Sequence, residues 1–384
     1  MSSARPFTVG IIGGGQLARM MYAASIGLGV RVRLLAEGPD VSAATVVRDV
    51  TVGDYTDSVT VRAFAAECDV VTFDHEHVPN GLLRDLEAAG IVVRPGPDAL
   101  LHAQDKAIMR DRLTALGAPC PLSRVVADAD ALIRFAGEHG WPVIAKTSRG
   151  GYDGHGVWRI EDPAGAAEPF RGLGDDVQVI AEEFVDFTRE LSSLVVRSPS
   201  GQAAAYPITE SLQRNGICVE TVTPAPGLTD AQAVDAQRLA LAIAHELGVV
   251  GVLAVELMQR ASGSVVVNEL AMRPHNTGHW TIYGAYTSQF ENHLRAVLDL
   301  PLGDPGRRDT WTVMTNVLGG SVTDLPSALL HCFARDRRLR AQLYGKQVKP
   351  GRKVGHVTAT GDDLEKVRHR ARHAAGYLMG EPDG

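Results

Sequence analysis

The chain has 384 residues, 45% of them apolar and 22% charged, with a formal net charge of −7. That length holds two or three domains around a substantial core, and the acid surplus argues against a nucleic-acid partner, which calls for a basic excess. No basic region leads into a long apolar run at the amino terminus, no segment is apolar over the length of a membrane span, and the four cysteines are scattered, so a cytoplasmic chain in a reducing compartment is expected, with no membrane contact.

Residues 7–12 (FTVGII) read as a buried strand, and GGGQLARMMYAASIGLG as a tight turn and a helix. VRVRLLAEG is the next strand. This start predicts a parallel sheet, with later strands at 70–73 and 91–93. RPGPDALLHAQDK (94–106) carries two prolines and marks a first boundary. A helix is predicted over 107–117, and short strands with glycine turns from 141 to 224. An amphipathic helix follows over 231–247 and a hairpin over 251–270. TSQFENHLRAVLDLPLG predicts a helix opened by a capping box, with Ser288 at the cap and Glu291 three residues on. A small mixed tail begins near 302. The expected class is α/β with α+β parts, in three regions: 1–105, 106–301 and 302–384.

GGGQLA (13–18) matches G-x-G-x-x-A between a strand and a helix. Glu37 ends the next strand, where a dinucleotide fold places its ribose-binding acid. A nicotinamide-dependent dehydrogenase is one reading. Glycines that only make a tight turn are the other, and the helix N-terminus could hold a different anion.

KTSRGGYDGHGVW (146–158) has four glycines between 150 and 156. A P-loop would place its lysine after the last glycine and run into a helix. Here Lys146 comes first and the loop joins two strands, as a flap would. Backbone N–H groups freed by glycine could close over phosphates, with Lys146 reaching an inner one. Tyr152 and Asp153 at the tip point to contact with substrate, although a plain turn would accept them too.

GVLAVELMQRASGSVVVNELAM holds two strand-like runs around Ser262 and Gly263. If those two residues are the loop, Glu256 pairs with Glu269. Two facing carboxylates repel, and among valines they need a cation between them. Hard oxygen ligands favour magnesium, which bridges phosphates. A one-residue slip would instead put one acid in solvent. Beyond Glu269, with Asn268 beside it, come Arg273, suited to an anion, and His275, suited to proton transfer or a hydrogen bond. His275 and His279 have a zinc-compatible spacing, but Pro274 and Gly278 argue against the helix it needs; His279 is read as structural.

Lysine, glycine loop, EEFV (182–185) and paired acids ending in NELAMRPHNTGH resemble the ATP-grasp superfamily. GGGQLARM, TSQFENHLRAVLDLPLG and LYGKQVKPGRKVGHV (343–357) are similar to its 5-(carboxyamino)imidazole ribonucleotide synthases of purine synthesis. The resemblance covers the whole chain. It implies a Rossmann-like domain over 1–105, an ATP-grasp core over 106–301 split near 185, and a small carboxy-terminal domain over 302–384. It also implies a homodimer that joins bicarbonate to 5-aminoimidazole ribonucleotide with ATP, through carboxyphosphate.

By that resemblance Lys106 and Lys146 touch ATP phosphates, and Gly151, Tyr152, Asp153, Gly154, His155, Gly156 and Val157 close over the nucleotide. Glu182, Glu183, Phe184 and Val185 line the adenine pocket, Glu190 holds the ribose, and Asn268 belongs to the ATP site. Gln213 stands at an ATP contact where some members have histidine, and Ala18 where many have glycine. Glu256 and Glu269 bind Mg2+. Tyr152, Asp153, Arg273 and His275 form the catalytic set around bicarbonate and the reacting amine. Glu76 reaches the substrate nucleotide from the first domain, and Lys346 and Arg352 bind its 5′-phosphate. A formate-dependent glycinamide ribonucleotide transformylase shares the RPH segment and is the nearest rival. A dehydrogenase leaves the paired acids and the basic tail without a use, and a non-catalytic nucleotide-binding module has trouble accounting for so many carboxylates and cations.

Overall fold

The structure, a computed structural model, describes residues 5–150, 156–174 and 177–381. The expected contacts of Gly151, Tyr152, Asp153, Gly154 and His155 lie outside the described residues.

The first sheet is parallel, as the opening strand–helix–strand predicts. It is built from β1 (Thr8–Ile12), α1 (Gln16–Leu28), β2 (Arg31–Ala36), β3 (Asp49–Val52), α2 (Ser58–Ala65) and β4 (Val70–Phe73), in strand order β3-β2-β1-β4. β1 is buried along its whole length, which is why it reads as an unbroken apolar run. The strand expected at 91–93 is reduced to a single bridge, Val71 to Val93. After α3 (Asn80–Ala88) the chain turns at Gly90, with φ 82°, and the prolines follow at once. No length remains for a ladder. Pro97 instead opens α4 (Pro97–Gln104), a position where proline's missing N–H costs nothing.

Asp105 caps α5 (Lys106–Ala115) by accepting from the N–H groups of Ala107 and Ile108. A second, antiparallel sheet follows. It contains β5 (Ser123–Val126), β6 (Val143–Thr147), β7 (Val157–Ile160) and β8 (Val179–Glu183) in the order β5-β8-β6-β7, and α6 (Ala129–His139) packs Leu132 and Phe135 onto it. β6 and β7 are antiparallel neighbours on either side of the glycine stretch.

The large sheet takes β9 (Arg189–Arg197), β10 (Ala203–Ala205), β11 (Thr209–Arg214), β12 (Ile217–Thr223), then, after α7 (Asp230–Glu246), β13 (Gly251–Gln259) and β14 (Val265–Ala271). After α8 (Thr281–Gly284) and α9 (Gln289–Val297) it continues with β15 (Trp311–Leu318). Past α10 (Leu325–Arg335) it adds β16 (Arg340–Leu343) and β17 (Lys353–Gly361), and α11 (Leu364–Met379) closes the chain. The order is β14-β13-β9-β11-β12-β15-β17-β16, with β10 on β9. The tail strands therefore extend the core sheet through the β12–β15 pair. Buried Glu220 of β12 fastens α11 by accepting from Arg368 and Arg372.

Helix α9 joins the first sheet to the large one. Phe290, Leu294 and Val297 pack into the core of α1 and β2, and buried His293 bonds Thr72 of β4 at 2.8 Å and the Val252 N–H at 3.1 Å. Only half of the capping box expected here forms. Ser288 Oγ accepts from the Glu291 N–H at 3.1 Å, but the Glu291 carboxylate turns to Arg295 one helical turn on. A complete box opens α7 instead, between Thr229 and Gln232.

Candidate active site

The glycine turn after β1 does not present its N–H groups to a ligand. Asp74, half-buried just past the end of β4, accepts from the N–H groups of Gly15 at 2.8 Å and Ala18 at 2.7 Å. Glu37 accepts from Gly14 at 3.1 Å and lies 3.4 Å from His75, which, together with the Gly14 N–H, overcomes burial and holds its carboxyl at about 2. Internal carboxylates thus take up the N–H groups that a bound pyrophosphate would need. A Cβ on Gly15 would sit 2.1 Å from Asp74 Oδ2. Gly15→Ala should therefore evict the cap and destabilise the protein by about 2 kcal/mol. Urea unfolding measures this, and an unchanged midpoint would refute the cap.

One cavity of about 770 Å3 opens where the three sheets converge. At its floor Glu256 faces Glu269, as the sequence predicts, but by a different route. The hairpin loop is three residues, 261–263: Arg260 N–H donates to Ser264 O, and Gly263 takes φ 87°. That loop alone would pair Glu256 with Asn268. Asn268 is instead an extra residue on β14, a bulge, and pairing shifts from Leu257–Val267 to Glu256–Glu269 across it. Burial, then Glu269 and Glu190, push the Glu256 carboxyl up to about 8.

Cations border this pair. Lys106 Nζ lies 3.0 Å from Glu269, and Lys146 Nζ lies 2.8 Å from Glu182 and donates to Asn268 Oδ1 at 3.1 Å. Glu182 is buried, and its carboxylate is clamped between Lys146 and Arg110 rather than open to a base. Burial alone would raise it; the two cations hold it at about 2. Glu183, Phe184 and Val185 continue the cavity wall from β8. Val157, Glu190 and Gln213 line it too. Gly156 does not; it makes the base of the glycine stretch, with φ 71° and its carbonyl accepting from the Thr147 N–H.

The NELAMRPHNTGHW stretch leaves β14 and wraps the cavity. His275 Nε2 sits 3.3 Å from Glu256, and its Nδ1 2.9 Å from Thr277 Oγ1. Burial, then Arg273 and Lys353, pull His275 down to about 3, so it sits neutral beside Glu256. Arg273 Nε lies 3.3 Å from Glu76, which also accepts from the Met272 N–H at 2.6 Å. Glu76 thus holds Arg273 in place from the first sheet. His279, read as structural, is wholly buried, with Nδ1 3.2 Å from Gln289 Nε2.

At the other end, Lys346 donates to Gln16 Oε1 at the start of α1. Lys353, not Arg352, shares this wall; Arg352 stays on the exposed turn and donates to Gln347 O. The sequence reading missed Lys353, Asp74, Gln16 and Arg110. For Lys353 a signal existed, since it lies one residue from Arg352 where the basic run enters a strand. The others act through long-range contacts.

An antiparallel sheet whose β6 and β7 flank the glycine stretch, a second sheet carrying paired acids, and lysines between them define an ATP-grasp enzyme, an ATP-dependent ligase. Family models agree along the chain: ribonucleotide synthetase preATP-grasp domain over 7–104, ATP-grasp domain over 111–290, and phosphoribosylaminoimidazole carboxylase C-terminal domain over 312–370. The chain is 52% identical over 374 residues to the N5-carboxyaminoimidazole ribonucleotide synthase of Mycobacterium tuberculosis, covering 96% of this chain and 87% of that one. The solved synthetase from Thermus thermophilus is 36% identical at a TM-score of 0.87, covering 98% and 99%. The Aspergillus clavatus synthase, solved with ADP and 5-aminoimidazole ribonucleotide, is 29% identical at 0.89, covering 97% and 98%. The chain belongs to the N5-carboxyaminoimidazole ribonucleotide synthase family.

Proposed function

We propose that this enzyme carboxylates the amine of 5-aminoimidazole ribonucleotide with bicarbonate, converting ATP to ADP and phosphate. The observation that carries the reading is the facing Glu256–Glu269 pair beside Lys106 and Lys146, in a cavity whose far wall is basic. Two facing, half-buried carboxylates call for a cation, and burial together with Glu269 raises the Glu256 carboxyl accordingly. The pair fits Mg2+, which when bound neutralises phosphate charge and orients the transferring group.

Bicarbonate carbon is a poor electrophile because hydroxide would have to leave. Transfer of the ATP γ-phosphoryl group to a bicarbonate oxygen gives carboxyphosphate, whose phosphate leaves readily. Lys106 and Lys146 bind the phosphates and offset the charge that develops on them. Arg273, braced by Glu76, suits the carboxylate of bicarbonate. The substrate's exocyclic amine then attacks the activated carbon, and phosphate departs. His275, held neutral and low, suits hydrogen bonding more than proton removal, which leaves the departing phosphate or Asp153 to take the amine proton.

The family resemblance supports a homodimer, and four unpaired thiols support a reducing, cytoplasmic setting. The test is ADP release with MgATP and 5-aminoimidazole ribonucleotide, with and without labelled bicarbonate. Label should enter the product, with one ADP per carboxylation. ADP release restored only by formate and glycinamide ribonucleotide would overturn the substrate assignment.

A further inference from the structure

Arg110 does not line the cavity, yet it touches what sets the cavity's geometry. It lies one helical turn after Lys106 on α5 and is 1% exposed. Its Nε donates to Glu182 Oε1 at 2.6 Å, and its two terminal nitrogens donate to Val267 O at 3.0 Å and Asn268 O at 2.7 Å. Those carbonyls belong to the β14 bulge. A bulge leaves its extra residue outside the ladder, and a buried carbonyl without a partner is costly. The planar guanidinium fork meets both carbonyls and a carboxylate at once, which a lysine ammonium on a flexible stem does not.

Without the bulge, Glu256 would face Asn268 rather than Glu269. Asn268 also receives Lys146, and Glu182 holds Lys146 from the other side. We propose that Arg110 is a positioning residue for the phosphoryl-transfer site: it fixes the Asn268 bulge that brings Glu269 opposite Glu256, and it clamps Glu182 so that Lys146 stays aimed at the same point. It touches neither nucleotide nor metal. The inference rests on the assignment of the two acids to Mg2+ and of Lys146 to phosphate.

Arg110→Lys keeps a charge for Glu182 but loses the fork. Mg2+-dependent ADP binding, measured by calorimetry, should need at least tenfold more Mg2+ for half-saturation, and kcat should fall at least tenfold. KM for 5-aminoimidazole ribonucleotide should stay within threefold, because that end of the cavity does not touch the bulge. Arg110→Gln should be worse on the first two measures and equal on the third; it also provides the reading if the lysine variant does not fold. A lower melting temperature with unchanged Mg2+ dependence would make Arg110 a purely structural residue and overturn the proposal. Wild-type ADP binding that ignores Mg2+ would overturn the metal assignment itself, and the proposal with it.

Discussion

Glu256→Gln is expected to reduce turnover by about a hundredfold to a thousandfold, the loss of several kcal/mol from a phosphoryl-transfer metal site, while stabilising the ligand-free protein at alkaline pH. The carboxyl lies deep, with 23% of its side chain open to the cavity, and burial, Glu269 and Glu190 push it up to about 8 from an ordinary 4.5. Between those values the folded chain binds more protons than the unfolded one, so stability falls as pH rises. Above pH 8 the folded state carries the ionised pair. At about 1.4 kcal/mol for each pH unit between the two values, and allowing for cavity water, the loss is on the order of 3 kcal/mol. Glutamine keeps the shape and can donate to His275, but it cannot ionise. Calorimetry should show the variant melting several degrees above wild type at pH 8.5, with the gap shrinking toward pH 5. A gap independent of pH would show that the acid pair is not the source of strain. Glu269→Gln should cost similar turnover with a smaller stability gain, because it relieves the repulsion on Glu256 but leaves Lys106, 3.0 Å from that carboxylate, without its charge partner.

The same pair shows how far local sequence reaches. Val, Leu and Ala around Glu256 and Glu269 announce two strands, and a serine–glycine step announces the turn between them. The facing of the two acids follows from counting outward. Yet the loop has three residues, and only the Asn268 bulge restores the pairing. Asparagine in a strand carries no local mark of a bulge; its stabilising partner, Arg110, lies 158 residues away. The glycine turn after β1 has the same limitation. Its pattern is local, but its meaning depends on Asp74, 59 residues from Gly15, whose carboxylate takes up the Gly15 N–H. Helix α7 was legible from its amphipathic pattern and α9 from its Ser288 cap, while the failure of Glu291 to close the box was not. It turned on Arg295, one turn beyond Glu291, which competes for the carboxylate. Continuity of the large sheet through β12 and β15 depends on pairing across roughly ninety residues of chain, and no window of sequence displays it.

The basic run KQVKPGRK sets the other large effect, on the substrate nucleotide. Lys353→Met should raise KM for 5-aminoimidazole ribonucleotide about thirtyfold to a hundredfold, the loss of one charge-assisted bond to phosphate worth about 2–3 kcal/mol. KM for ATP should stay within threefold. Lys346 and Lys353 both line the end of the cavity that Gly15, Gln16 and Leu17 close. Burial, then Arg352 and Lys353, hold the Lys346 ammonium below its ordinary value, and Asp74 only partly offsets them. Like charges gathered in a half-buried corner repel one another, and the charge of a phosphate monoester offsets that repulsion. Arg352 contributes from the exposed turn, where water screens it, so Arg352→Met should change the same KM by less than threefold. Initial-rate kinetics on the two variants separate the positions. If Arg352→Met raises KM and Lys353→Met does not, the turn folds over the bound phosphate and brings the arginine inward, and the 5′-phosphate belongs to Arg352 after all.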